Sequence, residues 1–404
     1  MLRRLPERLL AWVGRSLRRP VLLGVALTLL VLGAGALAVT SAGLVSIAAS
    51  SGHWPVTSWF LHYSMRRAVS TQSLGTEEPD DLTDPALVLK GAGHYETGCV
   101  MCHGAPGRNQ SVIVEQMTPR PPYLAPRMDE WAPRELFWIV RHGIKFTAMP
   151  AWPAQQRDDE VWAVVAFLNA LPDMSPQHYR RLALGKAAQN PGASETSARL
   201  SALSDPLEPV LATCARCHGE QGEGRGLGAY PSLAGQKPAY LLASLRAYAS
   251  GERASGIMQP IAAGLEDETM RQLADHYAEQ PAVARLVAAN GSMKPANGAI
   301  ARGRVLAIRG SREHKIPSCV QCHGPSEIEH NRMYPLLAGQ YPDYLALQLR
   351  LFAAGERGGT DYADLMHSAT RRLTEQQIRD LAAFYAALAP TDEPQPGPDN
   401  PAEL

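Results

Sequence analysis

Six cysteines occur in this 404-residue chain, and all six fall in three copies of one pattern. The copies are Cys99-Val100-Met101-Cys102-His103, Cys214-Ala215-Arg216-Cys217-His218 and Cys319-Val320-Gln321-Cys322-His323. Two thiols separated by two residues share one helical turn, so both can reach the edge of a single flat macrocycle. A histidine directly after the second thiol is then held beneath that ring. This is the attachment signature of a c-type haem, with thioethers from the cysteines and the histidine as proximal iron ligand. A zinc half-site, a thioredoxin-like redox pair or a disulfide would use the same cysteines. Zinc needs four ligands around one metal, yet successive motifs start more than 100 residues apart. A redox pair needs no histidine after its second cysteine, and no cysteine is left over for a separate disulfide framework.

An iron that only transfers electrons takes a second axial ligand, and methionine in that place raises the potential. Met149, Met258 and Met366 follow the three motif histidines by 46, 40 and 43 residues. Each is expected in a loop just before a C-terminal helix. A lone methionine is ordinarily core filling, but three at matching offsets point to ligation. His367, directly after Met366, is a rival for the third iron, and His142 a weaker one for the first. Pro122, Pro231 and Pro335 follow the motifs at 19, 13 and 12 residues. They are placed to fix a carbonyl at the second nitrogen of each histidine, or simply to stiffen a loop. No Ser/His/Asp set, Walker loop or nicotinamide fingerprint appears.

The elements that position these residues read in order. Residues 1–20 are a basic lead with six Arg and one Glu. An uncharged run from Val21 to Ala49 follows, and its most apolar part, Val21–Val39, would be about 28 Å long as a helix. The positive lead places the N-terminus in the cytoplasm. A single-pass anchor in the lipid bilayer of the cytoplasmic membrane is expected, with the rest in the periplasm. The other reading is a cleaved signal peptide at Ala36-Leu37-Ala38, although a signal core is usually shorter. Residues 50–84 hold an aromatic amphipathic helix (53–74) and an acidic linker. Domain 1 is expected at 85–173, ending in a helix over Asp158–Leu171. A flexible linker is expected at 174–204, domain 2 at 205–284, domain 3 at 296–390 and a disordered tail at 391–404. Such a linker would let domain 1 stay near the membrane while a paired domain 2 and domain 3 reach outward.

Domains 2 and 3 are internal repeats. Tyr230-Pro231-Ser232-Leu233-Ala234-Gly235-Gln236 matches Tyr334-Pro335-Leu336-Leu337-Ala338-Gly339-Gln340, and Gly251-Glu252-Arg253 matches Gly355-Glu356-Arg357. With these motifs the chain resembles the class I c-type cytochromes three times over, and domains 2 and 3 together resemble the di-haem c4 type. Domain 1, with its Cys-His-Gly-Ala-Pro-Gly and Thr-Ala-Met-Pro-Ala-Trp segments, resembles a single-haem member and lacks the Leu-Ala-Gly-Gln motif. The resemblance implies an all-α architecture of three tandem domains. In each, an N-terminal and a C-terminal helix would cross near the haem edge.

Net charge is zero, but the six Arg of the lead leave the remainder acidic. Nucleic-acid binding, which needs a basic face, is not expected. The expected function is electron transfer in a respiratory chain through three covalent haem c groups, delivering to a membrane-bound terminal oxidase. A cytochrome subunit of a membrane-bound alcohol or sugar-acid dehydrogenase is the alternative. A haem catalyst would need an open iron face. Pyridine haemochrome and intact mass of protein matured in a host with c-type haem assembly should report three covalent haems. Cys102→Ala should cost only the first. Two or fewer, with free thiols at the missing site, would refute the count.

Overall fold

The computed structural model describes residues 7–185, 207–282, 297–326 and 330–389. The expected tail and most of the expected linker lie outside them. Apart from isolated bridges, regular structure among the described residues is helical. The chain divides into two compact units, Met1–Ser58 with Gln116–Pro119 and Trp59–Glu115 with Arg120–Leu404.

The first unit is built on α1 (Glu7–Ser41). Its stretch Pro20–Ser41 is long and apolar enough to cross a membrane, about 33 Å at 1.5 Å per residue. Side chains from Val21 to Val39 are all exposed. Thr28 and Thr40 return their hydroxyls to carbonyls four residues back, at 2.9 and 2.8 Å. The helix stops eight residues short of Ala49. Gly43, at φ 66°, lets the chain fold back so that Leu44 N–H reaches Val39 O at 3.2 Å, a glycine termination.

In the second unit the aromatic stretch forms the larger part of α2 (Pro55–Gln72). Val69 near its end is buried, and Arg66 lies 4.6 Å over the Trp131 ring and bonds to Glu130 at 3.3 Å. Trp59, Phe60 and Tyr63 stay exposed. One end of the helix is therefore docked on domain 1, while the other keeps an aromatic face.

Domain 1 contains α3 (Pro85–Gly98), α4 (Val100–His103), α5 (Pro133–His142), α6 (Asp158–Ala170) and α7 (Pro176–Leu184). Domain 2 contains α8 (Glu208–His218), α9 (Pro238–Ser250), α10 (Met258–Ala263) and α11 (Asp267–Glu279). Domain 3 contains α12 (Asn297–Arg309), α13 (Val320–His323), α14 (Pro342–Ala354), α15 (Ala363–Thr370) and α16 (Glu375–Ala387). Asp84 caps α3 by accepting from Ala86 N–H, with Pro85 at the first position. Asp158, Asp159 and Glu160 open α6 where the helix dipole favours acid. Val161, Val164, Val165, Phe167 and Leu168 then bury one side of α6, at about 1.5–3 kcal/mol for each large side chain.

Two helix crossings organise the end domains: α3 on α6, and α12 on α16. Each passes over a glycine. A Cβ on Gly91 would lie 1.9 Å from Ala163 O, and one on Gly303 1.9 Å from Asp380 O. Only hydrogen fits there. Domain 2 is built differently, with Val210, Leu211 and Cys214 of α8 joining the cluster of Leu273, Ala274 and Tyr277.

Residues 174–185 are not linker. Ser175 caps α7, and Tyr179, 2% exposed, donates its hydroxyl to Glu96. Arg225 of domain 2 donates to Arg181 O at 2.6 Å and also to Leu182 O, closing the C-terminus of α7. Buried side chains and this capped helix dock domain 1 on domain 2. Gly303→Ala should cost about 1–3 kcal/mol through overpacking. The expected readout is a lower melting temperature by far-ultraviolet circular dichroism, with Gly298→Ala, on the same helix and facing only the Arg302 side chain, nearly neutral.

Candidate functional site

Each Cys-x-x-Cys-His forms one helical turn. His103 N–H and His323 N–H close it on Cys99 O and Cys319 O at 2.9 and 3.0 Å, and the second motif ends α8. Gly104, Gly219 and Gly324 follow at φ 66°, 86° and 66°, so the chain leaves the histidine in a conformation that favours glycine. The three imidazoles are held alike. His103 Nδ1–H donates to Pro122 O at 2.9 Å, His218 to Pro231 O at 3.2 Å and His323 to Pro335 O at 3.1 Å. That fixes the tautomer and leaves each Nε2 lone pair for a metal. Burial lowers the pKa of all three, and that of His323 to about 4. They are neutral at physiological pH, the form that ligates iron. Burial pushes the Cys99 thiol up to about 12 and Cys214 and Cys319 to about 11. That is opposite to the low pKa of a redox-active thiol.

In domain 2 the predicted residues meet. Cys214, Cys217, His218 and Met258 line one cavity of about 510 Å³. Met149 is half-buried in the segment before α6. Two of the three methionines differ from the expected loop setting. Met258 begins α10, where Ser255 Oγ accepts from its N–H at 3.1 Å. Met366 lies inside α15, bonded through its N–H to Tyr362 O at 3.4 Å. His367 is otherwise engaged: its Nε2 bonds to Arg357 O at 2.7 Å, and its Nδ1 lies 3.6 Å from Asp364. His142 is exposed at the end of α5.

The repeated glutamines join domains 2 and 3. Gln340 accepts from Ser232 N–H at 2.9 Å and donates to Ser232 O at 3.0 Å. Gln236 does the same to Leu336, at 2.9 and 3.0 Å. Ser232 N belongs to the peptide whose carbonyl, Pro231 O, holds His218. Leu336 N likewise belongs to the peptide that holds His323. Each domain therefore grips the peptide that orients the other's proximal histidine. Domain 1 has the histidine–carbonyl bond without the glutamine.

The repeated arginines are buried beside the same cavity. Arg253 donates to Ser244 and Tyr344 at 3.1 Å each. Arg357 donates to Gln348 at 2.6 Å and Tyr240 at 2.8 Å. Among the described residues neither has a carboxylate partner. Burial alone would raise the Tyr240 phenol, but the two guanidiniums outweigh it and pull it down to about 7. Two buried cations without an anion, an apolar cavity, and cysteine, imidazole and methionine on its wall suit a haem with two carboxylate arms. The Tyr277 hydroxyl, beside the Cys214 thiol, and the Tyr385 hydroxyl, buried without a hydrogen-bond partner, mark corresponding places in the two repeats. The sequence displayed the glutamines and arginines as repeats, but their roles depend on the facing domain.

Residues 86–168 match the family described as cytochrome C oxidase, cbb3-type, subunit III, and residues 210–284 match the cytochrome c family. A thiosulfate dehydrogenase electron acceptor of Stutzerimonas stutzeri (strain A1501) is 38% identical over 178 residues, 44% of this chain and 80% of that protein. Another protein so called, from Thiomonas intermedia (strain K12), is 35% identical over 185 residues, 45% and 82% of the two. Cytochrome c4 of Thiocapsa roseopersicina is 31% identical over 178 residues, 44% and 87% of the two. The chain belongs to the multi-haem class I c-type cytochromes, which are electron carriers. Within that class it contains a di-haem region like that of cytochrome c4.

Gln340→Ala leaves the Ser232 amide without its partner, a loss of about 1–3 kcal/mol. Electron paramagnetic resonance should show a changed signal for the haem held by His218 and none for that held by His103. Gln236→Ala should reverse the pattern between the haems of His218 and His323. Unchanged spectra in both variants would sever the link from glutamine to histidine.

Proposed function

We propose that the chain is a membrane-anchored, periplasmic tri-haem electron carrier that passes electrons to a terminal oxidase. Three haem c groups would each be held by a cysteine pair and ligated by His103 and Met149, His218 and Met258, and His323 and Met366. When bound, haem supplies a reversible one-electron couple, and methionine on one face keeps its potential fairly high. The residues' own work is to fix geometry: the proline carbonyls aim the imidazoles. Met366 is preferred to His367 because the latter is already bonded to Arg357 O.

One observation carries the oxidase reading. The region matching a cbb3-type oxidase subunit is docked on a c4-like di-haem region and preceded in the chain by an apolar helix. That helix is read as an uncleaved anchor, with the three haem domains at about 85–173, 205–284 and 296–390.

A second reading concerns the electron source. Two relatives are named as thiosulfate dehydrogenase electron acceptors. By that likeness the donor here would oxidise a reduced sulfur compound rather than an alcohol or sugar acid.

Membranes with and without the gene should differ in cyanide-sensitive oxygen uptake driven by an added reductant. Loss of thiosulfate-dependent reduction with unchanged oxidase flux would favour the second reading alone. Met149→Ala, Met258→Ala and Met366→Ala should each remove about a third of the weak far-red band of oxidised His/Met haem and lower one potential. If Met366→Ala spares that band while His367→Ala changes it, the third ligand is wrong.

A further inference from the structure

Glu160 lies in the first turn of α6, 3% exposed, where domain 1 meets domain 2. Three donors of two different segments converge on its carboxylate. Trp152 Nε1–H donates to Oε2 at 3.1 Å. Gly256 N–H donates to Oε2 at 2.6 Å, and the Ser255 hydroxyl to Oε1 at 2.6 Å. Trp152 ends the segment Thr147-Ala148-Met149-Pro150-Ala151-Trp152. Ser255 and Gly256 stand just before Met258, and Ser255 Oγ accepts the Met258 N–H at 3.1 Å. Gly256 presses on the indole: a Cβ there would lie 2.2 Å from Trp152 Nε1. A single carboxylate of domain 1 thus holds the methionine segment of its own domain and that of the next.

The carboxylate is well supported. Arg157, itself 7% exposed, lies 3.2 Å from Glu160 Oε1 and 2.7 Å from Asp159, and it donates to Ala254 O at 2.8 Å. Lys90 meets Asp159 at 2.8 Å. Two cations and two anions balance, so the buried charges are paired and hydrogen-bonded, as burial requires. A group fixed from several sides can hold a ligand-bearing loop to within about 0.5 Å, which an exposed surface contact cannot do.

We propose that Glu160 is a positioning residue shared by two haem sites. It holds the Met149 and Met258 segments at once, so loss of this one carboxylate disturbs the ligand geometry of both haems together. This rests on the reading of Met149 and Met258 as sixth ligands.

The test uses the full haem-loaded chain, with the far-red band and a potentiometric titration as readouts. Glu160→Gln keeps the size but loses one acceptor oxygen. It should weaken the band contributions of haems 1 and 2 together, shift two midpoint potentials and leave haem 3 unchanged. Doubles with Met149→Ala and Met258→Ala assign the two contributions, and Glu160→Asp should restore part of both. Ser255→Ala should disturb haem 2 alone, and Trp152→Phe haem 1 alone. These two variants decide the matter if Glu160→Gln fails to mature. An unchanged band and unchanged potentials overturn the proposal, as does an equal effect at all three haems. If the single methionine variants leave the band intact, the ligand reading itself fails and takes the shared role with it, whatever Glu160→Gln does.

Discussion

An imidazole that holds iron through one nitrogen must have the other nitrogen held by the protein. In this chain a proline carbonyl does that three times, at 2.9, 3.2 and 3.1 Å. Proline removes a competing N–H and fixes φ, so the carbonyl is presented at little entropic cost. The rest of the structure is arranged around those three peptides. Helical turns bring the cysteines and histidine to one wall, and glycine ends each turn. In domain 2 Met258 lines the same cavity as the cysteines and histidine.

The second use of the same peptides explains the pairing of domains 2 and 3. A peptide has a donor as well as an acceptor. When the acceptor serves the histidine, the donor is free for another partner, and the facing domain's glutamine takes it. Linked hydrogen bonds polarise one another in a low-dielectric interior. The reciprocity ties the peptide that orients each histidine to the facing domain. Arg253 and Arg357 add a second reason, since buried cations need anions, and haem carboxylates would be those anions.

Domain 1 meets domain 2 by other means. It lacks the glutamine, so its proline peptide has no such clasp. Instead the acidic start of α6, favoured locally by the helix dipole, is turned inward against the Ala254–Met258 segment, and Arg225 caps α7. Tyr230 hydroxyl, from the repeat motif of domain 2, donates to Leu89 O at 2.9 Å. Residue types common on any helix surface thereby become an interface, because a neighbouring domain excludes water from them.

The attachment chemistry was legible in the sequence because it is local: cysteines and histidine share one turn, and their spacing is the chemistry. The all-α class followed from the family resemblance those motifs carry, the apolar helix from an uncharged run, and the helix expected at 158–171, observed over Asp158–Ala170, from helical spacing within one segment. The repeats were visible as repeats. Tertiary structure alone decided what Gln236, Gln340, Arg253, Arg357 and Glu160 do, since each acts on a peptide or side chain roughly 90 or more residues away. It also decided that 176–184 docks rather than links, and that Gly91 and Gly303 are crossings. Glycine at a crossing differs from glycine in a loop only by the backbone that passes over it. A single chain read in order contains no record of that approach.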